Sequence, residues 1–398
     1  MKNVLIIQYL FHTVTLFIIL IACDANHGAS IKPGAYIIEE YYPVLTGKRV
    51  GIVVNHASVV GHKNLVDTLL EIDIDIEKIF TPEHGFKGNA EAGQSIADDT
   101  YSKEEISVIS LYGSKRKPAN RDLESVDIML FDLQDVGVRF YTYISSLHYI
   151  MEACAQNEIP LIVLDRPSPN GHYLDGPVLK KKFSSFIGMH PVPIVYGMTI
   201  GEYAQMINGE YWLSDSIQCD LRIVRCKNYT HTDYYSLPID PSPNLKNMQA
   251  IYLYPSTCLF EGTVVSEGRG TEAPFQLIGH PNYSYREVSF IPKSIPGASM
   301  NPKLKGELCY GIDLSDLSLD TLQSLNTIQL GYLLNFYKDL NMGSDFFIDY
   351  FDLLAGTDTL RKKIVQGWEA EKIQQSWQEE LVNFKEIRAR YLLYPDFE

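Results

Sequence analysis

Residues 127–143 read DIMLFDLQDVGVRFYTY. The run from Asp127 to Phe131 is apolar without polar alternation, which is how a strand buried on both faces of a parallel sheet reads. It stops on a polar tip, Asp132 with Gln134 and Asp135, and the following segment Tyr141 to Gln156 sets Ile144, Leu147, Met151 and Ala155 at helical spacing. The same succession of strand, tip and helix recurs through the first half. Apolar runs also cover Arg49 to Val54, Ile76 to Phe80, Ile106 to Leu111 and Ile159 to Leu164, with helical segments at Lys63 to Glu71 and Ile200 to Leu213. The repetition predicts an α/β fold whose main domain, residues 31–240, is a Rossmann-like doubly wound parallel sheet.

The second half has a different texture. Cys219 to Cys226 reads as a strand, IDPSPN (Ile239 to Asn244) as a connector, and Ala250 to Pro255 as another strand. Gly268, Gly270 and Gly279 give the stretch from Glu261 to His280 unusual backbone freedom. Short strands at Val288 to Ile291 and Cys309 to Leu314 precede helices at Thr327 to Leu340 and about Glu369 to Tyr391. These predict a smaller C-terminal α+β lobe, residues 241–398, with a groove between the two parts.

Composition narrows the function classes. With 45% hydrophobic and 21% charged residues the chain is neither a polytopic membrane protein nor disordered. A formal charge of -15 repels a phosphate backbone, which excludes nucleic acid as a partner. At the N-terminus, residues 1–22 read as a secretory signal, with Lys2 in its basic part and Val14 to Ile21 as its apolar core. Leu20-Ile21-Ala22-Cys23 matches a bacterial lipobox, so Cys23 is expected to carry a lipid anchor to the membrane, with residues 23–30 as a linker and the chain on the periplasmic side or cell surface. The other five cysteines lack CxxC spacing and read as buried apolar groups, with at most a Cys219 to Cys226 disulfide.

The strand ends hold the candidate chemistry, because ligands of open α/β sheets bind outside the carboxyl ends of the strands. Those positions are Asn55, Glu83 with His84, Tyr112, Asp132 with Gln134 and Asp135, and Asp165 with Arg166. No GxGxxG follows the first strand and no GxxxxGK[ST] is present, so no nucleotide cofactor is expected; the histidines form no ligand cluster, so no metal is expected either. Carboxylates among aromatics suit glycoside chemistry, in which one carboxylic acid protonates the leaving oxygen. Glu83 stands out in FTPEHGF, bracketed by Pro82 and Gly85 and close to apolar Phe side chains. Asp132 and Asp135 are similar, or else cap the helix expected after Gly137. Arg139 and Arg269 suit a substrate anion, or else neutralise nearby carboxylates.

The motifs PEHGF (Pro82 to Phe86), SLYG (Ser110 to Gly113), FDLQDVGVRFYTY (Phe131 to Tyr143), LDRPSPNG (Leu164 to Gly171), GMTIGE (Gly197 to Glu202), PSPN (Pro241 to Asn244) and EGTVVSEGRGTEAPFQLIG (Glu261 to Gly279) together resemble the exo-acting β-N-acetylmuramidases of the NamZ type, long carried as a domain of unknown function. The resemblance runs through nearly the whole chain after the signal segment. It implies a Rossmann-like domain with a smaller lobe, a cleft between them, and release of N-acetylmuramic acid from the non-reducing end of peptidoglycan fragments. It implies Glu83 as the catalytic acid, with Asp132, Glu261, Glu267 or the substrate's own 2-acetamido group as the second participant. Asn55, His84, Tyr112, Gln134, Asp135, Arg139, Tyr141, Arg166, Glu261, Ser266 and Arg269 are then candidate substrate contacts. The chain departs from the pattern at Val264, where many members carry Asn. The lactyl carboxylate of muramic acid requires a local cation in so acidic a protein, with Arg269 the first candidate and Arg139 and Arg166 behind it. The rival from another class is a non-catalytic glycan-binding lipoprotein, which needs no carboxylate facing the cleft.

Acyl chains supply membrane affinity at about 0.8 kcal/mol per buried CH₂. Cys23→Ser should therefore move the protein from the detergent fraction to the soluble fraction on cell fractionation; unchanged membrane retention would refute the anchor.

Overall fold

All five apolar runs of the first half pair side by side. The computed structural model describes residues 30–83, 85–86, 88, 99–101 and 105–398; the expected signal segment, Cys23 and His84 lie outside the described residues. The strands of this region are β1 (Val50–Val53), a small hairpin of β2 (Val59–Val60) and β3 (Lys63–Asn64), then β4 (Ile76–Thr81), β5 (Asp99–Tyr101), β6 (Ile106–Ser110), β7 (Ile128–Phe131), β8 (Leu161–Leu164) and β9 (Leu221–Val224). Seven of them form one sheet in the order β5-β6-β4-β1-β7-β8-β9, parallel throughout except for β5 against β6. In register, Val53 of β1 lies between Phe80 of β4 and Phe131 of β7.

Both faces of this sheet are dry, which is why the runs carry no polar alternation. Val50, Ile52, Ile128, Leu130, Ile162 and Leu164 enter a core covered by helices Ile38–Leu45 and Leu65–Leu70. The intervening residues Val53, Met129, Phe131, Leu161 and Val163 enter a second core under helices Tyr143–Gln156 and Ile200–Gly209. Thr199 and Glu202 close the start of the latter helix reciprocally, a capping box written in the sequence as T-I-G-E.

The second core does not stop at the sheet. It continues through Leu259, Phe336, Phe351, Leu381 and Phe384 of the C-terminal part, and residues Lys32–Glu398 form one compact unit. That part holds a three-stranded antiparallel sheet, β10 (Leu277–His280), β11 (Val288–Phe290) and β12 (Cys309–Asp313), in the order β10-β12-β11, surrounded by short helices. The architecture is thus α/β with a smaller C-terminal region of helices and sheet.

Three local expectations change. Ala250 to Pro255 is helical, within Met248–Thr257, and every residue from Ala250 to Thr257 is buried, so the all-apolar run carries no period to tell helix from strand. Its usable signal is Asn247, whose side chain accepts from the Ala250 amide at 2.8 Å as an N-cap. Pro255 leaves the carbonyl of Ile251 without its helical donor, and the Asn170 amide supplies one at 3.3 Å. The expected helix from Glu369 to Tyr391 is two helices, Ala370–Gln375 and Gln378–Arg388, broken where Trp377 turns inward. All five described cysteines are buried and free, so Cys219 and Cys226 form no disulfide.

Trp377 turns inward toward Asp175. This buried carboxylate accepts from the Trp377 indole N–H at 2.8 Å, the Gly176 amide at 2.7 Å, the Thr327 hydroxyl at 2.6 Å and the Ile328 amide at 2.7 Å. Four donors from separate parts of the C-terminal half and the preceding loop converge on one side chain. Asp175→Asn keeps the shape but turns an NH₂ group against two of the donors. It should lower the free energy of unfolding by about 2 kcal/mol or more, since each buried donor left unpaired costs about 1–3 kcal/mol; a denaturation midpoint equal to that of the natural protein would refute this.

Candidate active site

The chain leaves β1, adds β4 and β6 on one side, and returns to add β7 on the other, so the sheet reverses direction between β1 and β7. At such a switch point the loops at the carboxyl ends part and leave a crevice. Beneath it, Asp132 and Arg166 meet in a two-point ion pair, with Nε at 2.6 Å and Nη2 at 2.8 Å from the two carboxylate oxygens. Both side chains are sealed from solvent. Arg166 also donates to the Val59 carbonyl, and the Ser58 hydroxyl donates to the Asp132 carbonyl. This group locks the ends of β1, β7 and β8 together.

From Asp132 the chain turns upward through Asp135 and Gly137. The Asp135 carboxylate accepts from the Gly137 amide at 2.8 Å and from the Tyr196 hydroxyl, and burial pushes its pKa up to about 6. Gly137 has φ of 78°, and a Cβ there would lie 2.5 Å from the Ser168 hydroxyl, so glycine alone fits this turn. Gln134 lies under the same turn, donating to the carbonyls of Asp135 and Pro167. Neither acid caps a helix after Gly137, because the helix begins only at Tyr143.

The turn delivers Phe140, Tyr141, Thr142 and Tyr143 in succession to the wall of a cavity of about 480 Å³. Glu83, at the end of β4, and Tyr112, after β6, line the same wall. Tyr254 and Phe275, Glu261 with Arg269, and Tyr350 line it from the C-terminal half, and Ser242 and Asn244 from the PSPN connector. Asn55 is one step behind, donating to the Tyr143 hydroxyl at 2.8 Å, while the Tyr141 hydroxyl is held by the Pro241 carbonyl at 2.9 Å.

Two carboxyl groups face this space among the described residues, Glu83 and Glu261. Half-buried Glu83 accepts from the Thr142 hydroxyl at 3.1 Å. Thr142 occupies the N-cap position of helix Tyr143–Gln156 but caps nothing with its side chain. A residue type favoured there for capping is diverted to the acid. Glu261 receives Arg269 through Nε at 2.9 Å and Nη2 at 2.6 Å, and burial raises its pKa against the lowering pull of Arg269. The Tyr350 hydroxyl feels both acids: burial first, then Glu261 and Glu83 among further charges, lift it above the ordinary tyrosine range.

The remaining expected residues lie elsewhere. Glu267 is buried behind the wall between Arg269, at 3.7 Å, and Lys303, at 3.3 Å. Ser266 is buried and bonded to Gly279 through both backbone groups, supporting the glycine-rich loop. Arg139 is fully buried and donates to the carbonyls of Pro177, Val192 and Leu354, with no carboxylate partner among the described residues; burial lowers its pKa to about 9. Thr142, Arg116, Asn244, Tyr254 and Tyr350 line the cavity without being singled out by the sequence. Asn244 sat in a quoted motif and Arg116 five residues beyond a strand end, but Tyr254 and Tyr350 come from helices with no local signal. Among the described residues no group of three or more His, Cys, Asp or Glu side chains is arranged to hold a metal ion.

Comparison with known proteins bears on this geometry. Residues 50–249 match the family described as exo-β-N-acetylmuramidase NamZ, N-terminal, and residues 252–394 the corresponding C-terminal description. The chain is 39% identical over 381 residues to the peptidoglycan β-N-acetylmuramidase NamZ of Bacillus subtilis strain 168, a match covering 90% of each chain. A crystal structure of a DUF1343 family protein from Bacteroides fragilis superposes with a TM-score of 0.86 at 48% identity, over 92% of this chain and 100% of that one. A second from the same organism gives 0.78 at 28% identity, over 92% and 99%. With its switch-point cavity, its two facing acids and both halves matched in order, the chain belongs to the exo-β-N-acetylmuramidase NamZ family.

Proposed function

We propose that this protein is an exo-acting glycoside hydrolase that releases N-acetylmuramic acid from the non-reducing end of peptidoglycan fragments. The observation that carries the reading is Glu83, held by Thr142 on the wall of an aromatic-lined cavity at the sheet's switch point. A non-catalytic glycan binder has no use for an acid oriented in that way. The cavity volume lies in the range of small-molecule sites, and Tyr112, Tyr141, Tyr254 and Tyr350 offer rings against which a sugar's apolar face packs.

In the reaction, Glu83 gives its proton to the glycosidic oxygen as the bond from the muramyl C1 to that oxygen breaks. Water adds its hydroxyl to C1, and its remaining proton restores Glu83. Of the protein carboxyls considered as second participant, Glu261 is favoured over Asp132 and Glu267, because it alone of the three lines the cavity. Asp132 lies beneath the crevice against Arg166, and Glu267 lies behind the wall between Arg269 and Lys303. The lipobox Leu20-Ile21-Ala22-Cys23 supports a lipid-anchored protein of the cell envelope. Residues 31–240 then serve as the catalytic domain, and residues 241–398 as the ancillary part that closes the cavity.

The test is release of N-acetylmuramic acid from a muramyl-terminated disaccharide. Glu83→Gln removes the transferable proton and should lower kcat by about 10² or more without unfolding the chain. Thr142→Val, which loses only the orienting hydrogen bond, should cost about tenfold. Near-normal turnover in Glu83→Gln would remove Glu83 from this role, and absence of any free muramic acid with the natural protein would refute the reading as a whole.

A further inference from the structure

Holding a muramyl unit in this cavity means holding its lactyl carboxylate, an anion, in a protein with a formal charge of -15. The three arginines that the sequence suggests for that task are already engaged. Arg166 is locked to Asp132, and Arg139 is buried among backbone carbonyls. Arg269 faces the cavity, but it lies between Glu261 and Glu267, and Lys303 lies on the far side of Glu267. Two cations against two carboxylates leave that cluster without surplus positive charge.

One other cation lines the cavity among the described residues, Arg116. It belongs to Ser114-Lys115-Arg116-Lys117, just past the carboxyl end of β6, and its neighbours pair with residues that do not line the cavity. Lys115 pairs with Asp122 at 3.2 Å and Lys117 with Glu152 at 2.5 Å. Arg116 has no ion pair to a described residue. Its guanidinium carbon sits 4.2 Å from the centroid of the Phe186 ring, a second lining residue. Phe186 is itself secured, its carbonyl accepting from the buried Ser145 hydroxyl at 2.6 Å and its ring stacking near Tyr149. Contact with an aromatic ring occupies the face of a guanidinium and leaves its N–H edge available to a planar carboxylate.

Resting on the proposed reaction, we infer that Arg116, clamped by Phe186 at the rim of the cavity, is the residue that recognises the lactyl carboxylate and so distinguishes muramyl from glucosaminyl sugars. Glu83, the other cavity acid, has no cationic partner among the described residues, so Arg116 is not consumed by it.

Calorimetric binding of free N-acetylmuramic acid, its carboxamide and N-acetylglucosamine reads this without catalysis. The natural protein should prefer the acid to the carboxamide, which has nearly the same shape and no charge. Arg116→Ala should shrink that preference, and the preference over N-acetylglucosamine, by about 10- to 100-fold. Arg116→Ala that keeps both preferences overturns the inference, as does a natural protein that binds acid and carboxamide equally. Arg116 is exposed, so folding of the variant is not at stake, and an unchanged thermal midpoint checks this. The hydrolysis assay separates the two claims: selective binding lost in Arg116→Ala with no hydrolysis by the natural protein refutes the proposed reaction alone, and hydrolysis with preferences intact in the variant refutes the role of Arg116 alone.

Discussion

A carboxylate and a guanidinium, Asp132 and Arg166, lie shut away from water at the carboxyl ends of three neighbouring strands, each satisfying the other through two hydrogen bonds. Taking two charges out of water is expensive, and breaking such a pair by removing one partner typically costs about 3–5 kcal/mol. The geometry is therefore held with little tolerance. Through Val59 and Ser58 the pair also fixes the loop after β1, so the base of the crevice is one rigid polar knot. The turn at Gly137 starts from this knot, and the four cavity residues Phe140 to Tyr143 inherit their positions from it.

The opposite wall depends on a different kind of bond. Glu261, Arg269, Tyr254 and Tyr350 come from a region that shares the second core of the sheet and adds only a small cluster of its own around Tyr252, Leu253, Leu314 and Leu322. Asp175 adds a polar tie by gathering donors from Trp377, Thr327 and Ile328. Arg139 adds another by reaching the Leu354 carbonyl, one residue beyond the lining residue Leu353. A continuous apolar core sets the approximate placement, and a few buried polar contacts set the exact spacing of the two walls.

Charge placement inside the cavity follows from these supports. Asp132, Glu267 and Arg166 spend their charge on structure, and Glu261 and Arg269 largely cancel each other. Glu83 and Arg116 are the cavity charges whose visible contacts are weaker ones, a hydroxyl and an aromatic ring. Groups left available in this way can exchange a proton or an ion pair with a ligand at small cost to the fold.

The strands were legible because burial on both faces writes them as unbroken apolar runs, and the polar tips followed from the rule that parallel strands place their ligands at their carboxyl ends. Glu83 and Tyr112 stand at such positions, and Glu83 is marked further by the Pro82 and Gly85 that bracket it. Helix Met248–Thr257 reads as a strand because complete burial erases periodicity, and the break at Trp377 coincides with the indole's bond to Asp175, about two hundred residues earlier in the chain. The sequence by itself thus determined which residues end the strands and which chemistry they bring. Only the tertiary structure decided which of those charges are consumed: Asp132 by Arg166, Arg269 by Glu261, Arg139 by carbonyls. An ion pair forms between side chains that are neighbours in space, and spacing along the chain does not encode that distance.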